Sequence, residues 1–122
     1  MVVFDARINS SYGQSYPNAA SFVAPLATFG TSGTFGVGLS SGSVVKGAGS
    51  SGVIGVATLS ADWTAGSSVR VVTNGEMPRV GAVAGVADGG PVYAQSDGTL
   101  TATASGNTRV GWRNGTSLMV NV

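Results

Sequence analysis

The chain has 122 residues, a net charge of +1, and neither cysteine nor histidine. The missing residue types exclude disulfides and thiolate chemistry, and they remove the commonest metal ligand and the commonest general base. The six basic residues are scattered, so we expect no nucleic-acid partner. No apolar run approaches the roughly 18 residues of a membrane span, so we expect no membrane partner.

Twenty glycines and a charged fraction of only 9% set the expected fold class. Glycine with abundant Ser, Thr, Val and Ala predicts an all-β fold, a small barrel or sandwich of short antiparallel strands and hairpins. A surface with so few charges poorly supports the solubility of a free monomer. We therefore expect other chains to cover much of the surface.

The first segment, residues 1–43, holds six of the nine aromatic residues but two of the eleven charges, and we call it the arm. It shows no sustained period of 2 or 3.6 residues, so it is either an irregular or disordered tail or an extended arm that lies on another protein. Disordered segments are usually poor in aromatic residues, which favours the second interpretation. The aromatic side chains expected to make its contacts are Phe4, Tyr12, Tyr16, Phe22, Phe29 and Phe35.

The remainder, residues 44–122, is predicted to form a β-barrel domain of short strands separated by glycine-rich turns. The predicted strands are Val44–Lys46, Val53–Leu59, Ser68–Thr73, Glu76–Val80, Val92–Gln95, Thr99–Thr103, Thr108–Trp112 and Ser117–Asn121.

Three dipeptides, Asn74-Gly75, Asp97-Gly98 and Asn114-Gly115, predict two-residue type I′ hairpin turns, because they tolerate positive φ angles. The turn at Asp97-Gly98 would place Tyr93 and Leu100 on one face, which we expect to be buried. Asp97 is then the corner of a hairpin rather than a catalytic acid.

The last predicted hairpin places Trp112 opposite Ser117 and turns Leu118 and Val120 to the face opposite Met119. The final strand would then be apolar on both faces. A small barrel buries only one face of each strand, so Leu118 and Val120 are predicted to lie at a subunit interface.

A turn at Asn74-Gly75 would place Arg70 opposite Arg79, which is destabilising. Pro78 also lies within a predicted strand, although proline belongs at an edge or a bulge. Either the register slips, or this edge meets an acidic group of a neighbouring subunit. Arg70, Pro78 and Arg79 are therefore further candidates for the subunit interface.

Two short motifs match patterns of functional loops. GLSSG at 38–42 fits the nucleophile elbow, but that chemistry needs a histidine. GAGSSG at 47–52 fits a phosphate-binding loop, but a predicted strand follows where a helix is needed. The five carboxylates are dispersed along the chain, so we expect no catalysis, no metal and no cofactor.

The order of segments from Val44 onward resembles the capsid decoration proteins of tailed phages, also called capsid cement or head-stabilising proteins. The segments that carry the resemblance are Val44–Ala57, Ala65–Gly75, Gly90–Gly111 and Leu118–Val122, and the arm has no counterpart in the family pattern. The resemblance implies a non-enzymatic virion protein, made in the host cytoplasm. It implies homotrimers on the outside of an icosahedral head, at three-fold and quasi-three-fold positions, that clamp the major capsid protein.

The alternative is a glycan- or surface-binding β module of a virion or a bacterial surface. Such sites usually expose aromatic side chains beside convergent polar groups. The candidates are Tyr93, Trp63 and Trp112, for which burial in the core is the more strongly expected outcome. Trp63 in particular is expected to plug one end of the core.

Overall fold

The computed structural model describes residues 20–27, 32–78, 80–81 and 83–122. All regular structure in this part of the chain is β-strand, which confirms the predicted all-β fold. The strands form one curled antiparallel sheet in the order β3-β2-β4-β5-β9-β8-β6-β7, and β1 pairs with β5 beside this path. In chain order they are β1 (Ala20–Pro25), β2 (Gly33–Ser40), β3 (Ser43–Lys46), β4 (Gly55–Leu59), β5 (Ser68–Met77), β6 (Pro91–Ala94), β7 (Leu100–Thr101), β8 (Thr108–Asn114) and β9 (Ser117–Asn121).

Strands β1 to β5 curl around the first of two apolar cores. The end of β1 meets β3 through a bridge between Leu26 and Val44, and the Ala27 N–H donates to the Val44 carbonyl at 2.9 Å. Alternate residues of each strand point into this first core, as the two-residue period of a strand requires. Its buried members are Leu26, Val37, Val44, Ala57, Leu59, Val69 and Val71, with Phe22, Ala24, Phe35 and Leu39 packed against them.

The predicted division between an arm at 1–43 and a domain at 44–122 is wrong for the described part of the arm. β1 and β2 lie before that boundary, yet β1 pairs with β5, and β2 pairs with both β3 and β4. In β2 the inward residues are Phe35, Val37 and Leu39. The intervening Gly36 and Gly38 look like loop residues in the sequence, but they allow another segment to approach the strand closely.

A second core lies on the other side of β4 and β5 from the first core. Strands β9, β8, β6 and β7 continue the sheet from the end of β5 and cover this second core. The neighbours Val71 and Val72 of β5 face the first and the second core respectively, as do Ala57 and Val56 of β4. The first half of β4 and the middle of β5 are therefore buried on both faces. The second core contains Val56, Val72, Met77, Val86, Val92, Ala94, Val110, Leu118 and Val120, with Val53, Val80, Val83, Leu100 and Ala102 packed against it.

The predicted hairpin at Asn74-Gly75 is wrong, because β5 is one continuous strand of ten residues. Asn74 pairs with Ala20 of β1 on one side and with Asn121 of β9 on the other. The register with β1 shifts beside Asn74, and Gly75 has a φ of 113°. The Asn-Gly pair therefore accompanies a bulge within a strand, where the twist increases and the pairing changes partner.

This continuous strand also removes the predicted opposition of Arg70 and Arg79. The partner of Arg70 is Val23 of β1. Arg79 lies outside the described residues.

The hairpin between β6 and β7 is confirmed, but its register differs from the predicted one by one residue. Ala94 pairs with Leu100 and Tyr93 with Thr101, around the loop Gln95–Thr99. A one-residue slip exchanges the two faces of a strand. Ala94 and Leu100 consequently pack in the second core, and the prediction that Tyr93 and Leu100 share a buried face is wrong.

The hairpin between β8 and β9 is confirmed as well, with Gly115-Thr116 as its two-residue loop. Asn114 pairs with Ser117, and Trp112 pairs with Met119, so the predicted pairing of Trp112 with Ser117 is wrong. The sequence offered Asn114-Gly115 as the turn, but the chain turns one residue later.

Leu118 and Val120 are only 2% and 3% exposed, because they belong to the second core. Their predicted place at a subunit interface is therefore wrong. That prediction assumed a single core, and the second core supplies within one chain the contacts that were assigned to a neighbouring subunit.

Candidate functional site

The GLSSG motif forms the tight turn between β2 and β3. Ser40 pairs with Ser43, and the two loop residues Ser41 and Gly42 have φ angles of 51° and 80°. Positive φ at both loop residues is the signature of a type I′ hairpin turn. Among the described residues, no group of three or more acidic side chains could hold a metal ion. The motif is therefore the end of β2 followed by a hairpin turn.

The GAGSSG motif, residues 47–52, connects β3 to β4, and a strand follows it as expected. Its hydrogen-bond donors are directed at its own chain. The Ser50 N–H donates to the Leu39 carbonyl at 3.1 Å, and the Leu39 N–H donates to Ser51 Oγ at 2.9 Å. These hydrogen bonds hold the loop against β2, so the loop stabilises the sheet.

The loop Gln95–Thr99 docks on β2 and β3 through three glycines. The Gly36 N–H donates to the Gly98 carbonyl at 2.9 Å, and the Gly47 N–H donates to the Gly36 carbonyl at 2.8 Å. A Cβ on Gly98 would lie 2.6 Å from the Gly36 oxygen and 2.7 Å from the Gly47 nitrogen. The backbones approach so closely that no other residue type fits without displacement. We call this contact of Gly36, Gly47 and Gly98 the glycine junction.

Asp97 lies in this loop and is fully exposed. Its Oδ1 accepts the Thr99 N–H at 2.9 Å. That bond lowers the pKa of Asp97, with smaller contributions from the Thr99 hydroxyl and from the charge of Lys46. A carboxylate that accepts a backbone N–H two residues ahead stabilises a turn, which is the role that the sequence predicted for Asp97.

An open depression of about 280 Å³ lies between β2 and the segment 80–84. Five of its seven lining residues have apolar side chains and two are threonines, and the hydroxyl of one, Thr34, is hydrogen-bonded to Thr58 Oγ1 at 3.0 Å. It therefore brings together no acid, base or nucleophile. The lining residues are Thr34, Phe35, Val80, Val83, Ala84, Thr99 and Leu100.

Two of the six aromatic residues assigned to the arm are described. Phe22 and Phe35 are half-buried and pack against the first core. These two rings therefore contact the interior of their own chain and do not belong to a free arm. The other four, Phe4, Tyr12, Tyr16 and Phe29, lie outside the described residues.

The remaining predicted interface residues lie at the surface. Arg70 is exposed on β5, and its Nη1 donates to Ser21 Oγ at 2.9 Å. Its cross-strand partner Val23 is 56% exposed, which is unusual for a large apolar side chain in a strand. Pro78 is exposed directly after β5.

The expectation that the tryptophans are buried is wrong. Trp63 is 37% exposed in the loop between β4 and β5, so it does not plug the core. Trp112 is 38% exposed on β8, and Tyr93 is half-buried on the neighbouring β6. Pairing of Trp112 with Pro91, two residues before Tyr93, brings the two aromatic side chains onto one face.

We call this face, on the side of β5, β9, β8 and β6 away from the second core, the outer face. One row crosses four strands, since Glu76 pairs with Met119, Met119 with Trp112, and Trp112 with Pro91. A second row joins Tyr93 to its partner Arg109. The side chains that define the outer face are Glu76, Pro91, Tyr93, Arg109, Trp112 and Met119, and the polar residues Asn74, Asn114, Ser117 and Asn121 continue the same side of β5, β8 and β9.

A bulge in β8 explains why sequence reasoning did not find this surface. Val92 pairs with Gly111 and Tyr93 with Arg109, so Val110 is an extra residue. Arg109 and Trp112 are three residues apart, and a regular strand would place them on opposite faces. The glycine at 111 is the only sequence signal of this bulge.

No model of a known protein family matches the chain, and comparison with curated proteins finds no relative. In the described part of the chain, no helix is long and apolar enough to span a membrane.

Proposed function

We propose that the chain is a structural virion protein that binds the outer surface of an icosahedral phage capsid as a trimer and stabilises the shell. The observation that carries the proposal is the order of the four segments that resemble capsid decoration proteins. Val44–Ala57 corresponds to β3 and β4, Ala65–Gly75 to most of β5, Gly90–Gly111 to β6, β7 and half of β8, and Leu118–Val122 to the end of β9. All four segments belong to one sheet, as expected for a pattern that specifies a single fold.

The character of the exposed surface supports a binding role. Large apolar side chains remain exposed at Val23, Trp63, Trp112 and Val122. Trp112 lies with Met119 and Tyr93 on the outer face, and apolar side chains that lie together at a surface are suited to contact with another protein. With the major capsid protein as partner, such contacts would depend little on ionic strength, because few charges are involved.

Stabilisation of the shell follows from mass action. A protein that binds the assembled lattice but not its dissociated subunits makes opening of the lattice less favourable. In a trimer, the second and third contacts are intramolecular, so weak single contacts add to a durable attachment. The location that the resemblance to decoration proteins implies is the three-fold and quasi-three-fold positions of the outer capsid surface.

The test is to mix the purified protein with undecorated capsids and to image them. Density at the three-fold positions is expected, and it should persist when about 0.5 M salt is added. Capsids that stay bare at saturating protein would contradict the proposal. Removal of the protein by salt would contradict the apolar nature of the contact.

The role of the arm needs a truncation that stops before β1. Deleting residues 1–43 would remove β1 and β2 and with them part of the first core. Deleting residues 1–19 leaves every described strand intact. Loss of capsid affinity with an unchanged melting temperature would identify residues 1–19 as the anchor, whereas full affinity would exclude them.

A second candidate function, a glycan-binding module, is favoured by the exposure of Trp112 beside Tyr93 on the outer face. Flat aromatic side chains flanked by polar groups are typical of sugar sites. A glycan array probed with the free protein and with Trp112→Ala separates the two candidates. Sugar binding that Trp112→Ala abolishes, without capsid binding, would favour the module over the decoration protein.

A further inference from the structure

We propose that the outer face is a self-complementary contact through which two copies of this chain pair about a two-fold axis. The pairing follows from the residues of this face alone. Its role in linking neighbouring trimers on a shell rests on the function proposed above.

The outer face has the composition of a protein–protein contact. Trp112 lies at its centre, with Met119 and Pro91 on either side in the same row and Tyr93 on the next row. Tyr, Trp and Met are enriched at the centres of interfaces, while charged residues are confined to their rims. The outer face follows this arrangement, since its two charges lie away from the central tryptophan.

These two charges have opposite signs. Glu76 lies two strands from Trp112, a lateral distance of about 10 Å, and Arg109 lies one row along β8, at about 7 Å. Consider two copies that face each other about a two-fold axis that runs parallel to the sheets and passes over Trp112. If the axis lies midway between the directions to Glu76 and to Arg109, the rotation exchanges these two positions. Glu76 of each copy then meets Arg109 of the other, and the flexible side chains span the small difference in distance. Such reciprocity defines an isologous contact.

The side chains of both charged residues, Glu76 and Arg109, are exposed to solvent. Glu76 is exposed, and its Oε2 accepts the Ser117 hydroxyl at 2.8 Å. Arg109 is exposed, and the bond from its Nε to the Gly111 carbonyl is long, at 3.4 Å.

The small area of the outer face determines how strong the contact is. Four strands and about five residues of each give on the order of 400 Å². A stable complex usually buries about 800 Å² per partner. We therefore expect weak association of free chains, with a dissociation constant on the order of 1 mM, and effective pairing where a shell holds copies close together.

The symmetry assigns the contact to neighbouring trimers. A three-fold ring requires heterologous contacts, in which two different surfaces meet. An isologous face is therefore not the contact within a trimer. Adjacent three-fold positions of an icosahedral shell are related by local two-fold axes, which is where an isologous contact fits.

The test measures self-association of the full chain by sedimentation velocity at concentrations up to about 1 mM. Glu76→Arg and Arg109→Glu should each weaken association roughly tenfold, because like charges then meet twice in every contact. An equimolar mixture of the two variants should restore it. In the mixed pair, Arg109 of the first variant faces Glu76 of the second, and the two substituted side chains, which are opposite in charge, face each other. Asp62→Arg, a charge reversal on an exposed carboxylate in the loop between β4 and β5 and outside the outer face, is the matched control and should leave association unchanged.

Two outcomes would overturn the proposal: single variants that associate like the wild type, or a mixture that associates no better than its components. Trp112→Ala should abolish association and provides a second, uncharged probe. If the free protein is already trimeric, the same pattern is expected for the step from trimer to hexamer. Capsid binding by the charge variants is measured separately, so failure of the pairing and failure of the proposed function give different results.

Discussion

The glycine junction predicts that Gly98 is the most sensitive turn glycine of the second half of the chain. Replacing Gly98 by Ala adds a Cβ in two unfavourable ways. Gly98 has a φ of 92°, a conformation that side chains rarely adopt. Its Cβ would also lie 2.6 Å from the Gly36 oxygen and 2.7 Å from the Gly47 nitrogen, both of them backbone atoms. These two atoms are hydrogen-bonded to each other at 2.8 Å, so neither can move away from the added Cβ without weakening that bond.

Gly42 provides a matched control for this substitution. It also lies in a tight hairpin and has a φ of 80°, but a Cβ there would meet nothing within 4 Å. Gly42→Ala therefore carries the backbone strain alone, about 1–2 kcal/mol. Gly98→Ala carries a similar strain and an overpacking cost of about 1–3 kcal/mol. The difference between the two variants isolates the close approach of the backbones.

Urea denaturation followed by circular dichroism measures this difference directly. We expect Gly98→Ala to lose about 2–5 kcal/mol of unfolding free energy, which is a large part of the stability of a small domain. Thermal melts should show the same order, with about 3–6 °C lost per kcal/mol for a chain of this length. Equal destabilisation by Gly98→Ala and Gly42→Ala would refute the glycine junction as the contact that holds the loop.

Three further substitutions test local features of the fold. Asp97→Asn keeps an acceptor for the Thr99 N–H but removes the charge. Because the pKa of Asp97 is lowered in the folded state, the wild type should be more stable than the variant above the ordinary pKa of 3.8. This extra stability should be lost as the pH falls through the folded-state pKa. Urea denaturation at neutral pH and at about pH 3 checks this, and a difference that is independent of pH would contradict it. Ser41→Asn should raise the melting temperature slightly, because Asn-Gly is the preferred pair of a type I′ turn, and a lower melting temperature would argue against that turn. Arg113→Ala removes a 2.7 Å hydrogen bond from its Nη1 to the Val86 carbonyl. We expect the unfolding free energy to fall by about 1–3 kcal/mol and amide exchange in the segment 84–90 to become faster. Unchanged exchange would show that Arg113 does not hold this segment.

Local patterns predicted much of the strand content of this chain. β9 begins and ends at the predicted residues, Ser117 and Asn121, and β3 and β4 overlap their predictions closely. β3 and β4 contain valine and threonine bounded by glycine and serine, and β9 is a short apolar run after a glycine-containing turn, all of which are strong local signals. The sequence does not predict the glycine-rich β2, because glycine is depleted in strands. Close approach of the loop Gln95–Thr99 to Gly36, and of residues 48 and 52 to Gly38, explains why glycine is tolerated there.

Register and the number of cores could not be predicted, because both depend on contacts between distant segments. The slip by one residue in the hairpin of Tyr93 follows from a five-residue loop where the sequence suggested a two-residue turn. Asn74-Gly75 resembles a turn locally, but pairing with β1 and β9 extends the strand through it. The exposure of Trp112 likewise depends on a bulge whose only local signal is Gly111.

The second core also changes what the composition means. The small number of charges suggested a surface covered by other chains, but strands buried on both faces reduce the charged fraction without any partner. Val71 and Val72 illustrate the effect, since each is completely buried although the two are adjacent in β5. The case for a partner then depends on position rather than on composition. It is strongest where a tryptophan remains 38% exposed at the centre of a sheet face, between a carboxylate and a guanidinium that can each meet its opposite on a second copy.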